Sequence, residues 1–425
     1  MMKRRRTRYL RTLAWSWLAL SAVIVAFNLV VDPYGYFRLV TIPGINAKKP
    51  RPDADVMTIK TAGVRAIKPD ALILGNSRAE VGFDPEHAGF RKRALAVYNY
   101  SIPGSDIETP WRQLTKDDTS PRPKLVVIGL DFQDFLVDPD ADTIAYTEPD
   151  RPGAWAWLRT RLHALYTLSA LIDSIKTVLI QTRPYAATLT PRGFNPMQDY
   201  VPIARVDGWH ALFQHKAESV ARSLATLPKS VVARGTETSP PLELARTIVR
   251  TCIRQGTELH LVIYPYHAQL LMLYDAAGLW PAFEEWKRRI ADLVATEVAA
   301  SSGDPGAGKV VLWDFSDFHR FALEPVPAKG DRTVDIQWYW ESAHFKKELG
   351  DLILFRILEG TNAQDGFGLP LVPGNVDGQI ERMRVGRDLF RSNHPDVVRE
   401  TTELMDKAQA AVRKQNDRPA ATIRQ

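Results

Sequence analysis

An α/β fold built on a doubly wound, parallel sheet is what this sequence predicts, and three observations lead there. Five short apolar runs stand at 71–75, 96–102, 124–131, 258–265 and 309–315. Several are continuous rather than alternating, as in Leu125-Val126-Val127-Ile128 and Leu261-Val262-Ile263, the pattern of strands covered on both faces. Segments of helical period lie between them, notably 242–255 and 282–299, and strand alternating with helix builds a parallel sheet.

The elements follow in chain order. Lys3, Arg4, Arg5, Arg6, Arg8 and Arg11 account for the whole formal charge of +6, so residues 12–425 are neutral overall. A nucleic-acid binder carries its basic surface on the folded domain, and that class is excluded. Residues 13–31 contain no Asp, Glu, Lys or Arg, and nineteen helical residues span about 28 Å, close to a bilayer's hydrocarbon thickness. Trp15 and Trp17 suit an interface, while Asn28 is the one costly member. No small-x-small cleavage site precedes the Asp32-Pro33-Tyr34-Gly35 turn, so an uncleaved single-pass anchor is expected over a cleaved signal. The positive-inside rule makes 1–12 a cytoplasmic tail and sends 32–425 outward.

The folded domain is expected over 32–360. A segment at about 138–238 breaks the strand–helix rhythm and reads as a helical insertion, with amphipathic stretches at 155–180 and 210–226 and no clear strand. Residues 361–425 read as a Gly/Pro-rich linker (362–376), a helical extension (380–414) and a disordered tail from Pro419. The single cysteine, Cys252, cannot form an intrachain disulfide and falls in a helical pattern where burial is the default.

Two weak motifs are set aside. Gly303-Asp304-Pro305-Gly306-Ala307-Gly308-Lys309 has P-loop spacing, but Val310 stands where Ser or Thr must hold Mg²⁺, and the loop precedes a strand. The nine histidines offer no HxH or HExxH pair, so neither a metal nor another cofactor is expected.

Three separated segments carry the chemistry. Strand residues Leu72-Ile73-Leu74 run into Gly75-Asn76-Ser77-Arg78, which places a serine at the carboxyl end of a strand, where open α/β sheets bind ligands. The competing reading is that Ser77 caps the following helix. Tyr100-Ser101-Ile102-Pro103-Gly104-Ser105 follows the second strand, and a glycine there can bring a backbone N–H close to a reacting carbonyl. Trp338-Tyr339-Trp340-Glu341-Ser342-Ala343-His344 puts a carboxylate three residues before a histidine, so one short turn can present His344 as general base and Glu341 as its orienting partner. Trp338 and Trp340 are candidates for a sugar-stacking wall, although rings this dense also suit a core. His267, after Tyr264-Pro265-Tyr266 at the end of the fourth strand, is a further candidate for the crevice.

In order and placement these motifs resemble the SGNH (GDSL-type) hydrolase superfamily, in its membrane-anchored envelope branch that includes alginate O-acetyltransferases. Gly75-Asn76-Ser77 stands for the Gly-Asp-Ser block, Gly104 for the second-block glycine, Gly129-Leu130-Asp131 for Gly-x-Asn, and Glu341-x-x-His344 for Asp-x-x-His. The resemblance covers roughly 65–360, less the insertion. It implies a three-layer α/β/α flavodoxin-like domain, with Ser77 as nucleophile, His344 as base and Glu341 as third member. The N–H groups of Ser77 and Gly104 would form the oxyanion hole, and Asn76 and Arg78 would lie within reach of substrate. Two departures stand out. Glu341 replaces Asp, and Asp131 occupies the position of an Asn that donates to the oxyanion, which an ionised carboxylate cannot do. A protonated Asp131, or substitution by Gln133 or Asn76, would restore a donor; otherwise turnover is slow.

The expected protein is a single-pass inner-membrane protein with a periplasmic esterase or O-acyltransferase domain acting on envelope carbohydrate or another acyl ester, alongside envelope assembly proteins. The competing class is a non-catalytic module that binds polysaccharide or scaffolds such an assembly.

Overall fold

The sheet positions the candidate site. A computed structural model describes residues 2–52, 55–115, 122–140, 154–360 and 366–416. All five predicted strands are present: β1 (Ala71–Leu74), β2 (Val97–Asn99), β3 (Leu125–Leu130), β4 (Glu258–Ile263) and β5 (Val310–Asp314). They pair parallel throughout in the order β2-β1-β3-β4-β5. Every residue of β1, β2 and β3 is buried, which is why their sequences are continuous apolar runs. The order reverses between β1 and β3, and this switch point opens a crevice at the strands' carboxyl ends.

The chain divides into two units, one of residues 1–66 and 148–199, the other of 67–147 and 200–425. The expectation of one domain over 32–360 with a single insertion at 138–238 is therefore corrected at its boundaries. Residues 200–238 belong to the sheet-bearing unit, where Trp209 packs on Trp340 and Phe213 on His267. Residues 154–199 instead share a small core with the N-terminal segment, made of Tyr36, Ile59, Ala62 and Ala164 with Tyr34, Phe37 and Trp157 against it.

In that first unit one helix runs over Met2–Val31, long and apolar enough from Arg6 onward for a membrane span or a signal sequence. Its C-terminal end is pinned: the Asp32 carboxylate accepts from the N–H groups of Tyr36, Phe37 and Arg38 at 2.7–3.0 Å. The stretch 155–180 resolves into two helices, Ala154–Tyr166 and Leu168–Leu179, with Thr167 capping the second. A two-residue strand, Thr188–Leu189, pairs antiparallel with Lys49–Pro50, in a segment where no strand was expected.

In the second unit the helices Pro240–Gln255 and Trp280–Ala300 match the helical-period segments. Tyr339–Glu341 (β6) and His344–Phe345 (β7) form a tight antiparallel hairpin. The expected linker is partly structural: Leu369–Pro370 (β8) adds antiparallel to β5 at the sheet edge. The helical extension is two helices, Val376–Asn393 and Pro395–Asn416, folded back onto the unit. Arg384 there holds Glu284, and Asp377 holds Arg288. Residues 361–365 and the tail from Pro419 lie outside the described residues.

Candidate active site

β1 delivers the serine. Its run of buried aliphatics ends at Gly75 with φ +134°, and a Cβ there would come within 2.6 Å of the Tyr264 hydroxyl. The same phenol occupies the space a Cβ on Gly129 would take, at the end of β3. One tyrosine thus requires glycine in two of the motif blocks. The helix Ser77–Gly82 follows, and its cap is Asn76, whose side chain accepts from the Arg78 N–H at 3.0 Å. Ser77 is the first helical residue, not the cap. Its hydroxyl is free for another role, and its N–H has no intrahelical acceptor.

That hydroxyl lies 2.8 Å from His344 Nε2. The other ring nitrogen, Nδ1, is hydrogen-bonded to Glu341 Oε1. Glu341 and His344 face each other across the β6–β7 hairpin, so a strand register positions this pair where the sequence suggested a simple turn. The Glu341 carboxylate, 2% exposed, also accepts from the Ala343 N–H at 2.6 Å and has Lys216 Nζ at 3.6 Å. Burial alone would raise its pKa, but His344, Lys216 and the Ala343 N–H outweigh that and hold it well below the usual carboxylate range. Ionised Glu341 fixes the Nδ1–H tautomer and leaves Nε2 as the acceptor for Ser77. Burial also holds the His344 imidazole below its ordinary pKa, against the opposing pull of Glu341, so it is neutral and basic near pH 7.

Small residues bring the two halves together. A Cβ on Gly82 would overlap the Phe345 ring, and one on Gly350 would overlap the Gly82 carbonyl. The serine's helix is therefore seated directly on the residues that follow His344. Gly104, exposed and at φ +71°, lies in a loop tied to the Gly75 carbonyl by the Ile102 N–H at 2.9 Å and the Ser105 hydroxyl at 3.3 Å. This brings the second block beside the strand end that carries Ser77.

Six candidates occupy other roles. Asp131 is not an oxyanion donor: its buried carboxylate pairs with Arg78 and accepts from Asn76 Nδ2 at 3.0 Å and the Tyr266 hydroxyl at 3.1 Å. Arg78 is 7% exposed and spends its remaining reach on the Ala343 carbonyl at 2.8 Å, so it ties the first, third and last blocks together and is not open to substrate. Asn76 is likewise committed, and Gln133 donates to the Tyr274 hydroxyl. His267 caps a helix through Nδ1, engages the Glu324 carbonyl through Nε2 and packs between Phe213 and Tyr339. Burial lowers its pKa to about 4, which keeps it neutral. Trp340 is core, packed on Tyr200 and Trp209, whereas Trp338 is half-buried against Phe321.

No family model, curated protein or solved structure matches the chain.

Two residues that sequence reasoning passed over belong to the site. Lys216, from the helix Trp209–Leu224, supplies the positive charge beside Glu341, and no motif marks it. Asp134 lines a recess with Gly75, Asn76, Asp106, Ile107 and Asp131. Burial, with a smaller push from Asp106 and against the pull of Arg78, raises its carboxyl to about 8. A carboxyl that keeps its proton at neutral pH can donate a hydrogen bond. Among the described residues no cluster of three His, Cys, Asp or Glu could hold a metal ion.

Proposed function

We propose that this chain is a serine esterase or O-acyltransferase of the SGNH type. The carrying observation is the Ser77–His344–Glu341 relay, with 2.8 Å between the Ser77 oxygen and His344 Nε2. The strand order β2-β1-β3-β4-β5 is the flavodoxin-like order, and Ser77 leaves β1 at the switch point. Both support the family reading.

In the reaction, Ser77 Oγ attacks the acyl carbonyl carbon while its proton passes to His344 Nε2. The tetrahedral oxyanion draws on the Ser77 and Gly104 N–H groups. Collapse breaks the ester C–O bond, and the imidazolium returns its proton to the leaving alkoxide. A water or a sugar hydroxyl then gives its proton to His344, attacks the acyl-serine and frees Ser77. With Asp131 locked to Arg78, the hole lacks its usual third donor. A missing donor of this kind costs about 2.7–4 kcal/mol of transition-state stabilisation, which favours a slow enzyme or one with a reactive ester.

Membrane-anchored placement, with the bulk of the chain periplasmic and an envelope carbohydrate as acceptor, completes the reading. Asn28 supports a retained anchor over a cleaved signal. Its side chain is 1% exposed and bonds the Leu165 carbonyl at 2.9 Å and Ser174 Oγ at 2.8 Å. A helix with such ties is part of the folded unit. The test is turnover of p-nitrophenyl acetate and acetylated oligosaccharides by the full chain and by Ser77→Ala. Turnover unchanged in Ser77→Ala sinks the mechanism. Glycan or partner binding that survives loss of both Ser77 and His344, with no turnover in the parent, favours the non-catalytic scaffold that the locked Asp131 keeps in play.

A further inference from the structure

The helices Ala154–Tyr166 and Leu168–Leu179 each bury one face and leave an apolar stripe bare. On the first, Trp155, Leu158, Leu162 and Tyr166 are 46–74% exposed, opposite the buried Ala164. On the second, Leu168, Ile172, Ile175 and Leu179 are 45–72% exposed, opposite the buried Ala170, Ser174 and Thr177. At about 100° per residue each set of four falls within about 80° of arc, so these are continuous stripes and not scattered residues. Eight large apolar side chains exposed in so short a segment call for a cover.

The cover follows from depth. Tyr166, at the tip between the two helices, shares a hydrogen bond with Ser21 at 3.0 Å and stacks edge-on against Trp17 at 6.3 Å. Ser21 lies ten residues before Val31, about 15 Å down the N-terminal helix. Around it Trp17, Leu18, Leu20 and Val23 are 51–65% exposed. Any apolar phase that covers Ser21 must also cover Tyr166. Away from the tip both helices climb back to polar ground. Trp157 lies under the Arg65 guanidinium at 4.3 Å, and Asp173 accepts from the Tyr34 hydroxyl at 2.7 Å, beyond the end of the span. Exposed Arg159 and Arg161 flank the first stripe, and their long stems can lift the charge toward lipid headgroups.

We infer that residues 154–179 form a helical hairpin embedded in the half of the bilayer next to Val31, a second membrane attachment alongside the N-terminal helix. The inference rests on reading Met2–Val31 as a retained anchor. It makes that helix one of three that enter the lipid, with Asn28 as the polar clasp that joins them inside.

The experiment uses the full chain in phosphatidylcholine nanodiscs, with Cys252→Ala as background and one cysteine at a time at Leu20, Leu162, Ile172 or the exposed Lys407. Each is labelled with an environment-sensitive fluorophore and challenged with brominated lipid. The inference predicts loss of emission at 162 and 172 comparable to that at 20, and no loss at 407. Quenching at 20 without quenching at 162 and 172 leaves the anchor standing and overturns the hairpin, which then faces water or a second copy of the chain. No quenching at 20 removes the anchor, and the hairpin with it.

Discussion

His344 Nε2 lies 2.8 Å from the Ser77 hydroxyl although 267 residues of chain separate them. The approach is set by packing that contains no catalytic group. The short helix that begins at Ser77 ends at Gly82, and Gly82 sits against Phe345 and Gly350, one and six residues beyond His344. Nucleophile and base are thus held by close packing around Gly82 and by the bond from Arg78 to the Ala343 carbonyl, and the predictions below follow from these and from the charges around them.

Gly82→Ala forces its methyl into the Phe345 ring and pushes the two elements apart. Overpacking of this kind costs about 1–3 kcal/mol, to be read from urea denaturation. Ester turnover should fall further than the loss of folded protein explains, because the Ser77–His344 distance opens.

Glu341→Gln keeps the size of the side chain but no longer dictates which ring nitrogen of His344 carries the proton. The expected loss in kcat is about 10³–10⁴-fold, with KM little changed. Steady-state kinetics on a small ester checks it. Equal losses in KM would point to a role in binding instead.

Turnover requires neutral His344, whose pKa burial holds below its ordinary 6.5. Activity should therefore rise with pH on a single-proton limb whose midpoint lies below pH 6.5. Lys216 is one of the charges that lower this pKa. In Lys216→Gln the limb should move to higher pH, and a limb that stays put would show that Lys216 does not act on the histidine.

Arg78→Met leaves the Asp131 carboxylate buried beside Asn76 and Tyr266 without its cation. Removing one partner of a buried pair costs about 3–5 kcal/mol. Adding Asp131→Asn should recover much of that loss, which a double-mutant cycle in urea measures. Full additivity of the two losses would mean that the pair is not coupled.

Much of the fold is written in local pattern. The run Leu125–Leu130 and the stretch Leu261-Val262-Ile263 are apolar throughout because both faces are covered, and such strands can be found without partners. Ser77, Glu341 and His344 could be picked out because each stands at the end of such a strand or three residues from its partner. The two-residue pairings, Leu369–Pro370 on β5 and the β6–β7 hairpin, are too short to leave any periodicity. Arg78 is misread from sequence for a related reason. Its burial against Asp131 is a tertiary fact, and a residue adjacent to a nucleophile looks like a substrate contact until its partner is known. His267 shows the same limit, since only packing between Phe213 and Tyr339 reveals a satisfied core histidine. The helices of 154–179 were recognisable as amphipathic, but their alliance with Asn28 and Tyr34 was not.

The central claim is that Ser77 is an activated nucleophile, and a fluorophosphonate tests it most directly. The full chain in detergent, with His344→Ala beside it, is incubated with the reagent, digested and mapped by mass spectrometry. The account predicts one adduct, on Ser77, formed in the parent and suppressed in His344→Ala. An adduct on another serine, equal labelling without His344, or no adduct on folded protein would contradict it.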